Sequence, residues 1–266
     1  MKVGFVQIFP LFGKKEENLR KTEELIKKEK ANLLVLPELF NTGYLFRDRK
    51  ELSGLAEEIP GGETTEFLLQ LSHRTEISLI YGMAEKHKDR IYNSAVLVTP
   101  QGKIRVYRKL QLFNQEKALF DPGDKEPEVF EVEEAKVGIM VCFDWLFPEI
   151  ARVIALKGAD IICHPSNLVL PYAQEAMFTR SLENGVYTIT CNRIGEEKRG
   201  GMKLSFTGKS QITDPKGNLV LRASEGKEEV GIVMINPLLA RSKQFTKNNF
   251  IFKDRRPKYY KRISTK

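Results

Sequence analysis

Cysteine is scarce in this chain of 266 residues. There are three, Cys142, Cys163 and Cys191, an odd number that builds no disulfide framework. Histidine also numbers three, and no His/Cys cluster has the spacing of metal ligands, so no metal and no other cofactor is expected. Long apolar runs are missing as well. The longest nearly uninterrupted one, Val137 to Phe147, contains Asp144 and is too short to span a bilayer, so no membrane partner is expected. The N-terminus, Met1-Lys2-Val3-Gly4-Phe5, lacks the charged region, apolar core and cleavage site of a signal peptide, which points to the cytoplasm. Hydrophobic residues make up 41% and charged residues 29%, a balance that excludes a disordered chain and suffices for a well-buried core.

Negative charge is outweighed, with a formal net charge of +8. The excess is local. Between Lys253 and Lys266 the cations Lys253, Arg255, Arg256, Lys258, Lys261, Arg262 and Lys266 face only Asp254, so this tail carries six of the eight net charges. A basic tail with Tyr259 and Tyr260 raises nucleic-acid binding as a non-enzymatic alternative. Such a tail is more commonly a solvated end or an oligomer contact, and no nucleic-acid partner is expected here.

Strand and helix signals alternate along the chain. Val3 to Ile8 reads as a strand, Glu16 to Lys30 as a helix with Leu19, Leu25 and Ile26 on one face, and Leu33 to Leu36 as a strand buried on both sides and stopped by Pro37. Thr64 to Arg74 reads as a helix; Ser78 to Ala84, Asn93 to Val98 and Lys103 to Arg108 read as strands. The order recurs with the strand Lys136 to Cys142, the helix Pro148 to Lys157, the strand Ile161 to His164, the helix Ala173 to Asn184 and the strand Tyr187 to Cys191. Ser210 to Thr213, Leu219 to Arg222 and Gly231 to Ile235 are the remaining strands. Details match between the halves: Lys2-Val3-Gly4 with Lys136-Val137-Gly138, Leu34-Val35-Leu36-Pro37 with Ile161-Ile162-Cys163-His164-Pro165, and Thr99-Pro100-Gln101-Gly102 with Thr213-Asp214-Pro215-Lys216-Gly217. The expected fold is α/β, a four-layer α-β-β-α sandwich of two similar halves forming one domain over residues 1–240, followed by a tail over 241–266.

Residues able to carry chemistry sit where buried strands end. Cys142 lies between an apolar strand and the Pro148 helix, a corner where backbone N–H groups can hold a thiolate or an oxyanion. Cys163 and Cys191 lie inside apolar strands, as inert cysteines do. A cysteine nucleophile needs a base. His164, at a strand end, is one candidate, because His73 and His87 lie in polar segments. Glu38, held directly after Leu33-Leu34-Val35-Leu36-Pro37, is another. Lys109 follows a strand and precedes a loop with Phe113, Glu116, Phe120 and Pro122.

Three stretches, Leu36-Pro37-Glu38-Leu39, Tyr107-Arg108-Lys109, and Gly138-Ile139-Met140-Val141-Cys142-Phe143-Asp144 with Phe147-Pro148-Glu149, resemble in order and rough interval the motifs of the nitrilase superfamily of carbon–nitrogen hydrolases. Pro122-Gly123-Asp124, His164-Pro165-Ser166-Asn167 and Arg180-Ser181-Leu182-Glu183-Asn184 resemble its flanking segments, and the likeness runs from Lys2 to about Ile235. The tail, with Ile251-Phe252-Lys253-Asp254-Arg255-Arg256-Pro257, resembles that of thermophile-type small-molecule members. The resemblance implies Cys142 as nucleophile, Glu38 as general base, Lys109 as oxyanion holder with the Phe143 backbone N–H, and Glu116 as a second acid orienting Lys109 or the substrate. It also implies a homodimer or a larger even oligomer.

The same residues serve amidases, nitrilases and N-carbamoyl amidohydrolases, so the choice rests with the pocket. Tyr44, Phe113, Phe143, Trp145 and Asn167 are the expected substrate-binding residues. Their bulk favours a small substrate. No residue stands out as a carboxylate clamp, since Arg180 has Glu183 nearby on its helix. The expected activity is hydrolysis of a small, mostly uncharged amide, with small nitriles and N-carbamoyl compounds as alternatives.

Overall fold

In a computed structural model, which describes residues 1–263, two six-stranded sheets stack face to face. The tail expected over 241–266 therefore has its last three positions outside the described residues. The chain enters through β1 (Lys2–Gln7), crosses by α1 (Lys15–Ile26) to β2 (Leu33–Val35), and after α2 (Arg49–Leu55) and α3 (Glu63–Thr75) reaches β3 (Ser78–His87), β4 (Arg90–Val98) and β5 (Ile104–Arg108). A short helix, α4 (Glu116–Leu119), leads to the second sheet through β6 (Val129–Val132), β7 (Ala135–Ile139), α5 (Pro148–Leu156), β8 (Ile161–Pro165), α6 (Ala173–Asn184) and β9 (Tyr187–Cys191). A hairpin, β10 (Glu196–Arg199) and β11 (Met202–Ser205), precedes β12 (Gln211–Thr213), β13 (Leu219–Arg222) and β14 (Glu229–Met234).

The halves are alike. The first sheet runs β14-β1-β2-β3-β4-β5 and the second β13-β12-β9-β8-β7-β6. In each, three central strands are parallel, Val3 pairing Leu33 as Val137 pairs Ile161. An antiparallel strand closes each sheet beside its first strand: β14 against β1, and β6 against β7. The last long strand of the chain thus returns to the first sheet. Parallel strands need helical crossovers on a sheet face, and the inward faces of α1 and α3 supply one outer cover through Leu19, Ile26, Leu68 and Leu71, packed on Leu34, Leu79 and Val96. α5 and α6 cover the second sheet with Ile150, Ile154 and Met177. Between the sheets, Phe5, Val35 and Ile80 from one side meet Ile161, Cys163 and Ile189 from the other. This is the four-layer α-β-β-α arrangement.

Several boundaries differ from the sequence reading. The strand expected to run to Cys142 stops at Ile139, and Cys142 begins a tight helical turn, Cys142–Leu146. α2, β6 and the β10–β11 hairpin had no counterpart in the periodicity, because they are short and more than half of β10 and β11 is polar. Among the described residues no helix is long and apolar enough to cross a membrane. In the tail, Gln244–Thr246 pairs Asn249–Phe250, and Phe252 packs back on the core beside Arg152.

Candidate active site

Two of the central segments end on chemistry at the same rim. Pro37 terminates β2, the next peptide turns, and Glu38 is carried inward with no exposed surface. The turn fits because Gly82 of β3 lies against it: Gly82 N–H donates to the Pro37 carbonyl at 3.0 Å, and a Cβ on Gly82 would stand 2.5 Å from Glu38 Cα. Only glycine permits so close a backbone approach. Lys109 continues from β5, its N–H donating to the Asn93 carbonyl at 2.8 Å. Cys142 follows β7 with φ +42°, a left-handed conformation that L residues other than Asn and Asp seldom adopt. Strain of this kind costs of order 1–3 kcal/mol and persists where the surroundings enforce it.

Two side chains enforce it. The Asp144 carboxylate, fully buried, accepts from Val141 N–H at 2.9 Å and from the Tyr107 hydroxyl at 2.8 Å on one oxygen, and from Gln111 N–H at 3.0 Å on the other. One acid thereby ties the Cys142 turn to both flanks of Lys109. Burial pushes its carboxyl up to about 6, against the lowering by these donors and by Lys109. On the other side, His164 Nε2 donates to the Cys142 carbonyl at 2.8 Å. Burial lowers His164 to about 4, so its ring is neutral at pH 7. Its other nitrogen then accepts from Thr190 Oγ1 at 3.3 Å. Both ring nitrogens are engaged with backbone and hydroxyl. The Cys–His pairing that the sequence left open is not formed, because the imidazole holds the backbone of Cys142 instead of facing its thiol.

The Lys109 ammonium is enclosed by two carboxylates. Its Nζ lies 2.7 Å from Glu38 Oε1, and 2.9 and 2.8 Å from Glu116 Oε1 and Oε2. Burial by itself lowers a lysine, but Glu116 and Glu38 outweigh it and hold Lys109 above its usual range, fully charged. Glu38 Oε1 also accepts from Asn93 Nδ2 at 2.7 Å, whereas Glu38 Oε2 is buried with no partner. Burial raises Glu38 from the ordinary carboxylate value, and Lys109 pulls it back. Burial also raises the Cys142 thiol well above normal, helped by Glu38 and opposed by Lys109. The resting thiol is therefore neutral and needs a base to become a nucleophile.

The expected pocket residues divide between two positions. Phe113, Phe143, Trp145 and Asn167 line a cleft of about 20 Å³ with Cys142, Leu168, Val169 and Leu170. Phe113 and Phe143 pack with ring centres 5.0 Å apart. Tyr44 lies behind the lysine: its hydroxyl donates to Glu116 Oε1 at 2.7 Å, and its ring meets Phe206 edge-on. Glu116 is fixed further by Phe113 N–H at 3.0 Å. Arg180 pairs with Glu183 at 2.8 Å and donates to the Trp145 carbonyl, away from the cleft.

Sequence reasoning missed the supports. Asn93 holds Glu38 from 55 positions away. Glu197 accepts from Tyr44 and Leu45 N–H at 3.1 and 2.8 Å, and is ion-paired with the buried Arg193, which stacks on Phe206. No local pattern announces partners so distant. The lone Asp144 inside an apolar run was the one signal available.

Nearly the whole chain matches known proteins. Residues 2–244 fit the carbon-nitrogen hydrolase family. The chain belongs to that family. It is 51% identical over 98% of its length to a protein named nitrilase from Pyrococcus abyssi, of which it covers 99%. It is 33% identical over 86% of its length to an (R)-stereoselective amidase from a Pseudomonas species, of which it covers 82%. The fold of a carbon-nitrogen hydrolase from Helicobacter pylori superposes with a TM-score of 0.89 at 27% identity, covering all of this chain and 98% of that one. This carbon–nitrogen hydrolase is thus an enzyme of the amidase and nitrilase type, acting on non-peptide carbon–nitrogen bonds. Among its described residues no cluster of His, Cys, Asp or Glu is placed to hold a metal ion.

Proposed function

We propose that the enzyme hydrolyses small, uncharged primary amides to a carboxylate and ammonia through a thioester on Cys142. The observation that carries this reading is the fully buried contact of Lys109 Nζ with Glu38 Oε1 at 2.7 Å, which leaves Glu38 Oε2 without a partner beside a neutral thiol. Glu38 Oε2 takes the thiol proton as Sγ bonds to the amide carbon. Negative charge develops on the amide oxygen and is met by Lys109 and the Phe143 backbone N–H, in a site where water is excluded and fixed charge acts strongly. The C–N bond breaks, the nitrogen leaves with the proton from Glu38, and the thioester remains. Water then loses a proton to Glu38, attacks the thioester, and restores the thiol. Glu116, held by Tyr44 and Phe113, keeps the ammonium in place through the cycle.

Glu38 Oε2 also favours amides over nitriles, because an amide NH₂ offers it a hydrogen to accept and a nitrile offers none. The nitrile reading draws its own support from the name of the Pyrococcus relative. An ammonia-release comparison of matched aliphatic amides and nitriles tests the choice. Amides are expected to show the higher kcat/KM; robust hydrolysis of an aliphatic dinitrile, with the matching amide untouched, reverses the ranking.

We further propose that residues 1–240 form the hydrolase domain, and that the tail over 241–266 contributes to a homodimer or a larger even oligomer. Tyr259, Tyr260 and Ile263 are exposed there, and Tyr260 and Ile263 line a surface groove with the exposed Leu156 of α5. A truncated form that keeps its sedimentation and melting temperature would refute the tail's role. The odd number of cysteines, three in all, supports a reducing compartment such as the cytoplasm.

A further inference from the structure

The reactive cleft contains one polar side chain that the chemistry above leaves unused. Asn167 is 2% exposed, and both its Oδ1 and its Nδ2 are buried without a hydrogen-bond partner. A buried carboxamide with neither end satisfied is costly, of order 1–3 kcal/mol for each group, so it persists where something else completes it. Its surroundings do not. Apart from Cys142, the residues that line the cleft with Asn167 are Phe113, Phe143, Trp145, Leu168, Val169 and Leu170, and none has an ionisable side chain.

The scissile amide does not need Asn167 either. Its oxygen is met by Lys109 and a backbone N–H, and its nitrogen by Glu38. The free carboxamide is left for the remainder of the substrate. A carboxamide offers a donor and an acceptor about two bonds apart, and the group that satisfies both has an acceptor and a donor at the same spacing. A second carboxamide or a ureido group does so. A carboxylate meets Nδ2 but sets its charge against Oδ1, and an ammonium does the reverse. An alkyl end leaves both unpaired.

We propose that Asn167 is a specificity determinant that reads a second, uncharged donor–acceptor group on a short bifunctional substrate, so that the preferred class is the small aliphatic diamide or ureido amide. This rests on the amide-hydrolase reading above. The aromatic walls contact the carbons between the two groups. The narrow inner cleft favours a short link, and the exposed Leu170 marks where the cleft opens. Sites built around a buried hydrogen-bonding pair reject analogues that lack it far more sharply than apolar pockets reject a missing methylene.

The test measures ammonia release from succinamide, butyramide and succinamate by the full chain and by Asn167→Leu and Asn167→Ala. The expected result is a kcat/KM for succinamide at least about tenfold above that for butyramide, with succinamate poorest. In both variants the succinamide-to-butyramide ratio should fall at least about tenfold. Butyramide turnover in the same preparation reports that fold and thioester chemistry survive, and the alanine variant covers a failure of the leucine side chain to fit. An unchanged ratio in an active variant, or a parent enzyme that prefers butyramide or succinamate, overturns this inference alone. Release of ammonia from none of the three by the parent, with matched nitriles cleaved, overturns it together with the amide reading.

Discussion

His164 Nε2 lies 2.8 Å from the carbonyl oxygen of Cys142, the residue whose backbone adopts φ +42°. The imidazole acts as a clamp on the turn that presents the thiol. Glutamine can place an amide nitrogen near Nε2, so His164→Gln is expected to keep most of the activity. Glu38→Gln is expected to lose a factor of roughly 10²–10⁴ or more, as removal of a general base does. An inactive His164→Gln beside an active Glu38→Gln would reinstate the histidine as base.

The same histidine makes stability depend on pH. Its folded value of about 4 lies below the ordinary 6.5, so between these limits the unfolded chain binds the proton and the folded chain does not. Stability from this source is therefore present at neutral pH and falls as pH drops from about 6.5 to about 4, by about 3 kcal/mol in all. Asp144, raised to about 6, has the opposite slope and is common to parent and variant. Denaturant titrations at pH 7.5 and pH 4.5 should show a smaller acid loss for His164→Gln than for the parent. Equal losses would place the proton uptake elsewhere.

Cys142→Ala should abolish ammonia release while melting within a few degrees of the parent, since its side chain lines the cleft and the change removes a single heavy atom. Cys163→Ala and Cys191→Ala should retain chemistry and lose about 1 kcal/mol or more, because both are fully buried between the sheets. Turnover by Cys142→Ala would remove the thioester route.

Lys109→Arg preserves charge but replaces a compact ammonium by a planar fork. With Glu38 at 2.7 Å and Glu116 at 2.8 Å, the enclosure has no room for the larger group. Near-complete loss of kcat is expected, and activity within a few fold of the parent would show that Lys109 does not touch the reaction.

Asp144→Asn puts an NH₂ where one carboxylate oxygen accepts from Val141 N–H and the Tyr107 hydroxyl, or where the other accepts from Gln111 N–H. One donor then faces another, and the Cys142 turn loosens from Lys109. We expect kcat to fall at least about tenfold with a smaller change in KM, the mark of misplaced reacting groups. A variant altered in KM alone would mean that Asp144 shapes the pocket without setting the turn.

The sequence by itself determined the paired halves and the groups proposed to react. Apolar runs such as Leu33 to Leu36 and Ile161 to Cys163 read as central strands, and Pro37 stops the first of them, which puts Glu38 at a rim. Order and residue type at Glu38, Lys109 and Cys142 were local properties of three short segments, and short segments are what a chain displays openly. Partnership across the fold was not displayed. That Asp144 would join Val141 to Gln111, that Glu197 would hold Tyr44 from 153 positions away, and that His164 would turn its ring to a carbonyl depends on which sheet edges meet. Those contacts form only once two apolar faces have closed on each other. Burial then decides the rest: it keeps the Cys142 thiol and His164 neutral, and leaves Lys109 charged only because two carboxylates are enclosed with it.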